Sequence, residues 1–226
     1  MPVIYHYDVL SQPARSVLLF IKVNDIPVEE KTISIIKGEN KTEEFKKVSP
    51  FGKVPVIDHD GFVLSESVAI LQYLAATFNT KDHWYPKANK TRARIDEYLA
   101  WHHSNLRKTA VTWVRQVVLL PLLTKQPVDD AVKTSLTADY DQTLDEFERY
   151  FLSTKEGFIG GANDISIADL IASQEIDTNA AAGHDTFTNR PVLKAYMDRV
   201  RAKLQPHYGY VQRQVQAILA AVSAQK

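Results

Sequence analysis

The chain has 226 residues, and its 45% hydrophobic content is enough to bury the core of one large domain or two small ones. Its 27 Lys and Arg residues balance its 27 Asp and Glu residues, so no broad basic surface is expected to attract nucleic acid or an anionic membrane. It contains no cysteine, which excludes disulfides, thiolate metal ligands and a cysteine nucleophile.

No targeting or membrane segment is evident in the sequence. The first thirty residues offer one short apolar core, which contains Lys22 and is followed by no small-residue cleavage signal, so we expect no secretory peptide. The apolar run at 117–123 is far shorter than the roughly 20 residues that cross a bilayer. The sequence therefore predicts a soluble, cytoplasmic protein with no membrane partner.

The first eighty residues alternate between strand and helix patterns. The strand patterns fall at 3–9, 28–35, 54–58 and 62–65. The helix patterns fall at 13–25, 41–48 and 66–78. Asp60-Gly61 separates the last two strands and predicts a hairpin. The order βαβαββα predicts a small mixed sheet with helices on its faces, in a domain of residues 1–78.

The pattern changes after residue 78. Residues 79–88 are polar and rich in turn formers, so we predict a linker there. The apolar positions that follow have helical spacing, including one long helix over 95–117 that Pro121 bends or ends. Ser166 and Asp169 have the spacing of a capping box, or simply of a generic helix start. We predict an all-helical domain over 89–226.

Ser11 lies in the sequence LSQPARS, at the start of the first predicted helix. Pro13 suits the first turn of a helix because it has no N–H and a fixed φ, and this places the Ser11 hydroxyl at the positive end of the helix. Two interpretations stay open at this point. The hydroxyl either caps the helix by accepting a backbone N–H bond or interacts with an anionic ligand.

A second candidate stretch is PFGKVPVI at 50–57. Pro55 lies inside the strand pattern, which predicts an edge strand or an unpaired stretch. The backbone of Val54 would then be free to pair with an extended peptide. The alternative is an ordinary edge strand on which Lys53 is a solvated charge that prevents aggregation.

A third candidate stretch is LSESVAIL at 64–71, where a helix begins. Free backbone N–H groups and the helix dipole attract a carboxylate, and the side chain of Glu66 can hold an ammonium group. Such a pair would fit an amino-acid head group. The alternative is a polar first turn in which Glu66 interacts favourably with the dipole.

Generic catalytic motifs are absent from the sequence. It has no Gly-x-Ser-x-Gly elbow, Walker A loop, Gly-x-Gly-x-x-Gly fingerprint or His-Glu-x-x-His zinc motif. His102 and His103 are adjacent, but neighbours on a helix point about 100° apart and do not easily share a metal. We expect a surface or core role for these histidines and no metal cofactor.

The three candidate stretches, in this order and before a helical second half, resemble the cytosolic glutathione transferases. The serine motif, IIKG at 35–38 and RARIDEYLAWHH at 92–103 are most similar to the theta class. The resemblance runs from Tyr5 to about Arg201. It implies a thioredoxin-like domain that binds glutathione, joined to an all-α domain that contributes the electrophile pocket, in a homodimer.

The resemblance also implies roles for particular residues. Ser11 would donate its hydroxyl proton to the glutathione sulfur and stabilise the thiolate, with Tyr5 and Tyr7 as tyrosine-type alternatives. The residues implied to bind glutathione are Asn40, Lys41, Lys53, Val54, Pro55, Glu66, Ser67 and Arg107. Val54 would pair with the cysteinyl backbone across a cis bond to Pro55. Glu66 and Ser67 would hold the γ-glutamyl end.

Two features depart from the theta pattern. Theta members carry histidine where this chain has Asn40, so Asn40 or Lys41, beside Lys53, would meet the glycyl carboxylate. Arg107 matches a basic residue that lies over the bound tripeptide. The chain also ends soon after VQAILAAVSAQK, where theta proteins add a segment, which predicts a more open electrophile pocket.

The implied function is detoxifying conjugation of glutathione, as co-substrate, to small hydrophobic electrophiles. Alternatives are a glutathione-dependent dehalogenase, a hydroperoxide reductase, and a non-catalytic interaction module with the same fold. No motif identifies the electrophile.

Overall fold

A computed structural model describes the backbone of residues 2–154 and 156–224, and the side chains of 2–154 and 156–217. The strands are β1 (Val3–Tyr7), β2 (Val28–Thr32), β3 (Val56–His59) and β4 (Phe62–Ser65). Among them lie the helices α1 (Gln12–Val23), α2 (Glu43–Lys46) and α3 (Ser67–Thr77). The element order is the predicted βαβαββα.

After residue 78, the longer regular elements of the described residues are helices. The further helices are α4 (Asn89–Ser104), α5 (Leu106–Trp113), α6 (Leu120–Thr124), α7 (Asp130–Phe151), α8 (Ile167–Ala181), α9 (Pro191–Lys203) and α10 (His207–Ala224). A π-helical segment, Val114–Leu119, joins α5 to α6. Within the described ranges, no helix combines the length and the apolar character needed to span a bilayer.

The chain divides into two compact units, Met1–Trp84 with Arg201–Lys226, and Tyr85–Val200. In the first unit, α10 packs against α1. The predicted boundaries at 1–78, 79–88 and 89–226 place 201–226 in the helical domain, and they stay a prediction. Residues 225 and 226, which that prediction includes, lie outside the described residues.

The sheet of the first unit has the strand order β2-β1-β3-β4. β1 pairs in parallel with β2 and antiparallel with β3, and β3 pairs antiparallel with β4. Asp60 and Gly61, with φ of 55° and 84°, form the predicted hairpin turn, because two left-handed residues match the twist of the flanking strands.

Of the two predictions for the stretch around Pro55, an edge strand or an unpaired stretch, the edge strand is wrong, and Val54 and Pro55 lie outside the strands. β3 lies between β1 and β4. Pro55 comes just before Val56, the first residue of β3, so its missing N–H removes no hydrogen bond from the ladder.

The predicted single helix over 95–117 is also interrupted. α4 ends at Ser104, and Asn105 has φ −117° and ψ −94°, outside the helical region. Pro121 does not end the helix, because it lies in the first turn of α6, where a missing N–H is tolerated. α6 ends instead at Lys125, whose conformation is left-handed.

The start of α8 confirms the predicted capping box of Ser166 and Asp169. The Asp169 carboxylate is fully buried and accepts hydrogen bonds from Ile159 N (3.0 Å), Ser166 N (2.8 Å), Ser166 Oγ (2.8 Å) and Tyr196 Oη (2.8 Å). Burial raises the pKa of this carboxyl, and the four hydrogen bonds act in the opposite direction. One side chain therefore joins α8, α9 and the turn before α8.

His102 is a core histidine, 2% exposed, whose ring lies 5.9 Å from that of Tyr98. Burial, together with the charges of His103 and Arg107, lowers the pKa of His102 to about 3. An unperturbed histidine has a pKa of about 6.5, so below that pH the unfolded chain takes up a proton that the folded chain does not. Acidification therefore favours the unfolded state.

We expect this histidine alone to lower the free energy of unfolding by about 2 kcal/mol between pH 7 and pH 5. In His102→Gln, the difference between the free energies of unfolding at pH 7 and at pH 5, measured by urea unfolding, should shrink by that amount. A residual slope should stay, because burial also lowers the pKa of His6 and His184. His103→Gln, at the exposed neighbouring position, is the control. An unchanged difference in His102→Gln would contradict the assignment.

Candidate active site

The register of the sheet brings the candidate stretches of the first unit to one end of it. β1 ends at Tyr7, four residues before Ser11. His6, the residue before Tyr7, pairs with Val56 at the start of β3. Val56 also pairs with Ser65, the last residue of β4. The loops that hold Ser11, Val54-Pro55 and Glu66-Ser67 therefore leave the sheet at the same end.

Ser11 is the N-cap of α1 and is half-buried. Its Oγ accepts a hydrogen bond from Ala14 N at 3.4 Å and donates one to Val54 O at 3.5 Å. Both distances lie at the long end of the hydrogen-bond range, so neither partner holds the hydroxyl tightly. The hydroxyl caps the helix weakly, and its proton can turn to an acceptor placed beside Val54.

Tyr5 and Tyr7, the alternative hydroxyl donors, are both engaged within the unit. Tyr5 is fully buried, and its Oη donates to Ala14 O at 2.6 Å. Tyr7 Oη donates to a Glu30 carboxylate oxygen at 2.6 Å. Burial raises the pKa of both phenols, with Glu30 adding to the effect. Both phenols stay protonated at neutral pH and already hydrogen-bond to acceptors in the protein.

The loop that carries Ser11 is held by a residue that the sequence did not single out. The Asp8 carboxylate, 7% exposed, accepts from Leu10 N at 2.9 Å and from Ile35 N at 2.8 Å. Asp8 O also accepts from Ser11 N at 3.0 Å. The spacing of Asp8 and Leu10 is that of an Asx turn, which is the signal that could have identified it.

The peptide bond between Val54 and Pro55 is cis, as the resemblance implied. Val54 is half-buried and Pro55 is buried. The preceding loop closes on Ser49, which is fully buried. Ser49 Oγ donates to Lys53 O at 2.8 Å and accepts from Lys53 N at 3.1 Å. The backbone that leads into Val54 is thus fixed from both sides of Lys53.

Glu66 is the N-cap of α3, with φ 70° and ψ 114°. A non-glycine residue in this region costs about 1–3 kcal/mol, and such residues cluster at functional sites. Glu66 is exposed, and its side chain does not cap the helix. Ser67 is the first residue of α3 and is 9% exposed. The backbone N–H groups of this first turn point to the same end of the sheet as Ser11.

Asn40 and Lys41 lie in a 3₁₀ turn, Glu39–Lys41. Asn40 is 8% exposed, and its amide nitrogen donates to Gly52 O at 2.8 Å. Lys41 and Lys53 are exposed. The structure therefore brings the two lysine loops together through Asn40.

Arg107 belongs to the second unit, in α5. Its guanidinium forms an ion pair with the Glu175 carboxylate of α8. The Arg107 side chain is 31% exposed, whereas that of Glu175 is 2% exposed. Glu175 anchors one end of this guanidinium, and the predicted contact of Arg107 with glutathione stays a prediction.

The chain is similar to known proteins over most of its length. Residues 2–76 match the family model of the glutathione S-transferase N-terminal domain. The chain is 41% identical over 199 residues to glutathione S-transferase theta-3 of Mus musculus, covering 88% of this chain and 82% of that protein. It is 40% identical over 197 residues to glutathione S-transferase theta-1 of Homo sapiens, covering 87% and 81%.

A solved structure extends the similarity to the fold. The human theta-class glutathione transferase, in complex with the glutathione conjugate of 1-menaphthyl sulfate, matches with a TM-score of 0.92 at 34% identity. The match covers 100% of this chain and 91% of that one. A thioredoxin-like N-terminal domain followed by a helical part is therefore confirmed as the fold class.

Proposed function

The chain belongs to the glutathione transferase family and is similar to its theta class, and from this premise we propose that it conjugates glutathione to small hydrophobic electrophiles, with the Ser11 hydroxyl stabilising the thiolate. Its relatives are named glutathione S-transferases, and the chain is accordingly a transferase. The observation that carries the proposal for Ser11 is the loosely held hydroxyl at the N-terminus of α1, beside the Val54 carbonyl.

The energy available from Ser11 is sufficient for its task. One charge-assisted hydrogen bond is worth about 1.5–3 kcal/mol, and one pKa unit corresponds to about 1.4 kcal/mol. A bond from Ser11 Oγ, helped by the dipole of α1, would lower a thiol pKa of about 8.5 by one to two units. Glutathione bound in this way is largely a thiolate near neutral pH, without a general base.

The other candidate residues of the first unit suit the rest of the tripeptide. The Val54 backbone would pair with the cysteinyl residue beside the cis bond to Pro55. The Glu66 carboxylate would hold the γ-glutamyl ammonium, and Ser67 with the first turn of α3 its carboxylate. The contact of Arg107 with glutathione that the resemblance implies is kept as part of the proposal.

Lys41 and Lys53 are proposed for the glycyl carboxylate. Both ammonium groups are exposed. Among the side chains of 2–154 and 156–217, neither of them pairs with a carboxylate. Two unpaired cations on neighbouring loops offer a carboxylate more than one charge-assisted contact.

The reaction needs no group besides the two substrates and the protein. The thiolate sulfur attacks an electrophilic carbon, a sulfur–carbon bond forms, and the leaving group departs with its electron pair as an anion. The helical domain would supply the electrophile pocket. We also propose a detoxifying role in the cytoplasm, and a homodimer as the working form.

We expect the purified protein to be retained on immobilised glutathione and to convert at least one member of a panel of aryl and benzyl halides. Release of halide and formation of the thioether are measured together, so that conjugation is distinguished from plain hydrolysis. Sedimentation of the same sample at micromolar concentration should show a dimer. A single species of 25.6 kDa, the mass of one chain, would contradict the proposed homodimer. A folded protein that neither binds glutathione nor turns over any halide would contradict the proposed function.

A further inference from the structure

Asn40 occupies a position at which its amide faces the protein and not the solvent. Its side chain is buried, and its nitrogen donates to Gly52 O at 2.8 Å. Because a carbonyl oxygen only accepts, the amide nitrogen and not its oxygen must face Gly52. This bond uses one of the two N–H groups of the amide, and without it the Gly52 carbonyl would be left without this donor.

The hydrogen bond joins the turn Glu39–Lys41 to the loop 49–53, and the two are in close contact. Gly52 has φ +58°, and a Cβ built on it would lie 2.8 Å from Asn40 O and 3.8 Å from Lys41 Cδ. The aliphatic part of the Lys41 side chain therefore lies close to the backbone of Gly52. Gly52 N in turn donates to Ser49 O at 2.8 Å, which completes the closed loop 49–53.

Each of the two joined residues is followed directly by an exposed lysine. Lys41 follows Asn40, and Lys53 follows Gly52. The bond between Asn40 and Gly52 therefore holds the backbones of Lys41 and Lys53 close to each other. If the bond were lost, the two loops would move independently, and a ligand that contacts both lysines would lose affinity by having to order them.

We propose that Asn40 is a positioning residue, which holds Lys41 and Lys53 together as one two-cation subsite for the glycyl carboxylate of glutathione. This inference rests on the proposed function. It gives Asn40 a role that acts through Lys41 and Lys53, in addition to the ligand contact that the resemblance implied.

The test compares glutathione with its glycyl ethyl ester, which has the same tripeptide backbone but an uncharged ester in place of the glycyl carboxylate. By titration calorimetry, Asn40→Ala should weaken the binding of glutathione about 3- to 10-fold and that of the ester less than about twofold. Asn40→Ser, which cannot reach Gly52 O, should give the same ratio and serves if the alanine variant does not fold. In a Lys41→Ala/Lys53→Ala background, the effect of Asn40→Ala on glutathione should disappear.

The matched control is Asn24→Ala. Asn24 also donates its side-chain amide to a backbone carbonyl, Phe20 O at 2.9 Å, in the same unit. This variant should leave the ratio of the two dissociation constants unchanged. If Asn40→Ala weakens both ligands equally, or neither, the inference is overturned while the proposed function stands. If the wild-type protein binds neither ligand, the proposed function fails first.

Discussion

Ser11→Ala is expected to lower kcat/KM for glutathione conjugation at pH 7 by about 10- to 100-fold, the loss that corresponds to one charge-assisted hydrogen bond of about 1.5–3 kcal/mol. The fold should survive, because loss of a cap of this kind costs about 1 kcal/mol and the 3.4 Å bond to Ala14 N is already weak. The defect should shrink as the pH rises towards 9, where the thiol ionises without help. A steady-state pH profile measures both effects.

Two variants control for the identity of the hydroxyl. Ser16→Ala removes another hydroxyl of α1, whose Oγ donates to Gln12 O at 3.2 Å, and should leave the pH profile unchanged. Tyr7→Phe should also keep its turnover, because the Tyr7 hydroxyl is bonded to Glu30. Wild-type turnover in Ser11→Ala, with loss of turnover in Tyr7→Phe or Tyr5→Phe, would move the catalytic role to a tyrosine.

Local signals in the sequence were sufficient for the order of strands and helices in the first 78 residues. Alternating strand and helix periods predicted βαβαββα, and Asp60-Gly61 predicted the hairpin because few other residue pairs tolerate two positive φ values. The serine and proline of LSQPARS likewise predicted the start of α1, where Ser11 is the N-cap. Each of these features depends on a residue's own backbone preferences or on its immediate neighbours.

Other features depend on partners that are distant in the sequence. Pro55 predicted an edge strand or an unpaired stretch, and the sequence could not decide between them because the first residue of the strand, Val56, has no local signal. The amide of Asn40 faces Gly52, twelve positions away, and no local pattern indicates this contact. The interruption at Asn105 is similar, because asparagine is a weak helix former but one such residue within continuous helical spacing does not by itself predict a break.

Substitution of Asp169, in the second unit, should greatly lower the free energy of unfolding. The Asp169 carboxylate is fully buried and accepts four hydrogen bonds, from Ile159 N, Ser166 N, Ser166 Oγ and Tyr196 Oη. In Asp169→Ala these donors stay buried without an acceptor, and each unsatisfied group costs about 1–3 kcal/mol unless the structure relaxes. We expect a loss of about 3–5 kcal/mol in the free energy of unfolding, measured by urea denaturation.

The expected loss of stability in Asp169→Ala is compared with that of a substitution in a surface ion pair. Asp145, whose side chain is 67% exposed, pairs with Arg190 at 2.8 Å, and Asp145→Ala should cost less than about 1 kcal/mol. Asp169→Asn should be intermediate, because the amide keeps one acceptor oxygen but turns an NH₂ group towards donors on the other side. Since a domain is stable by only about 5–15 kcal/mol, Asp169→Ala should also lower the yield of folded protein. A loss no larger than that of Asp145→Ala would show that the network contributes little to the stability of the helical unit.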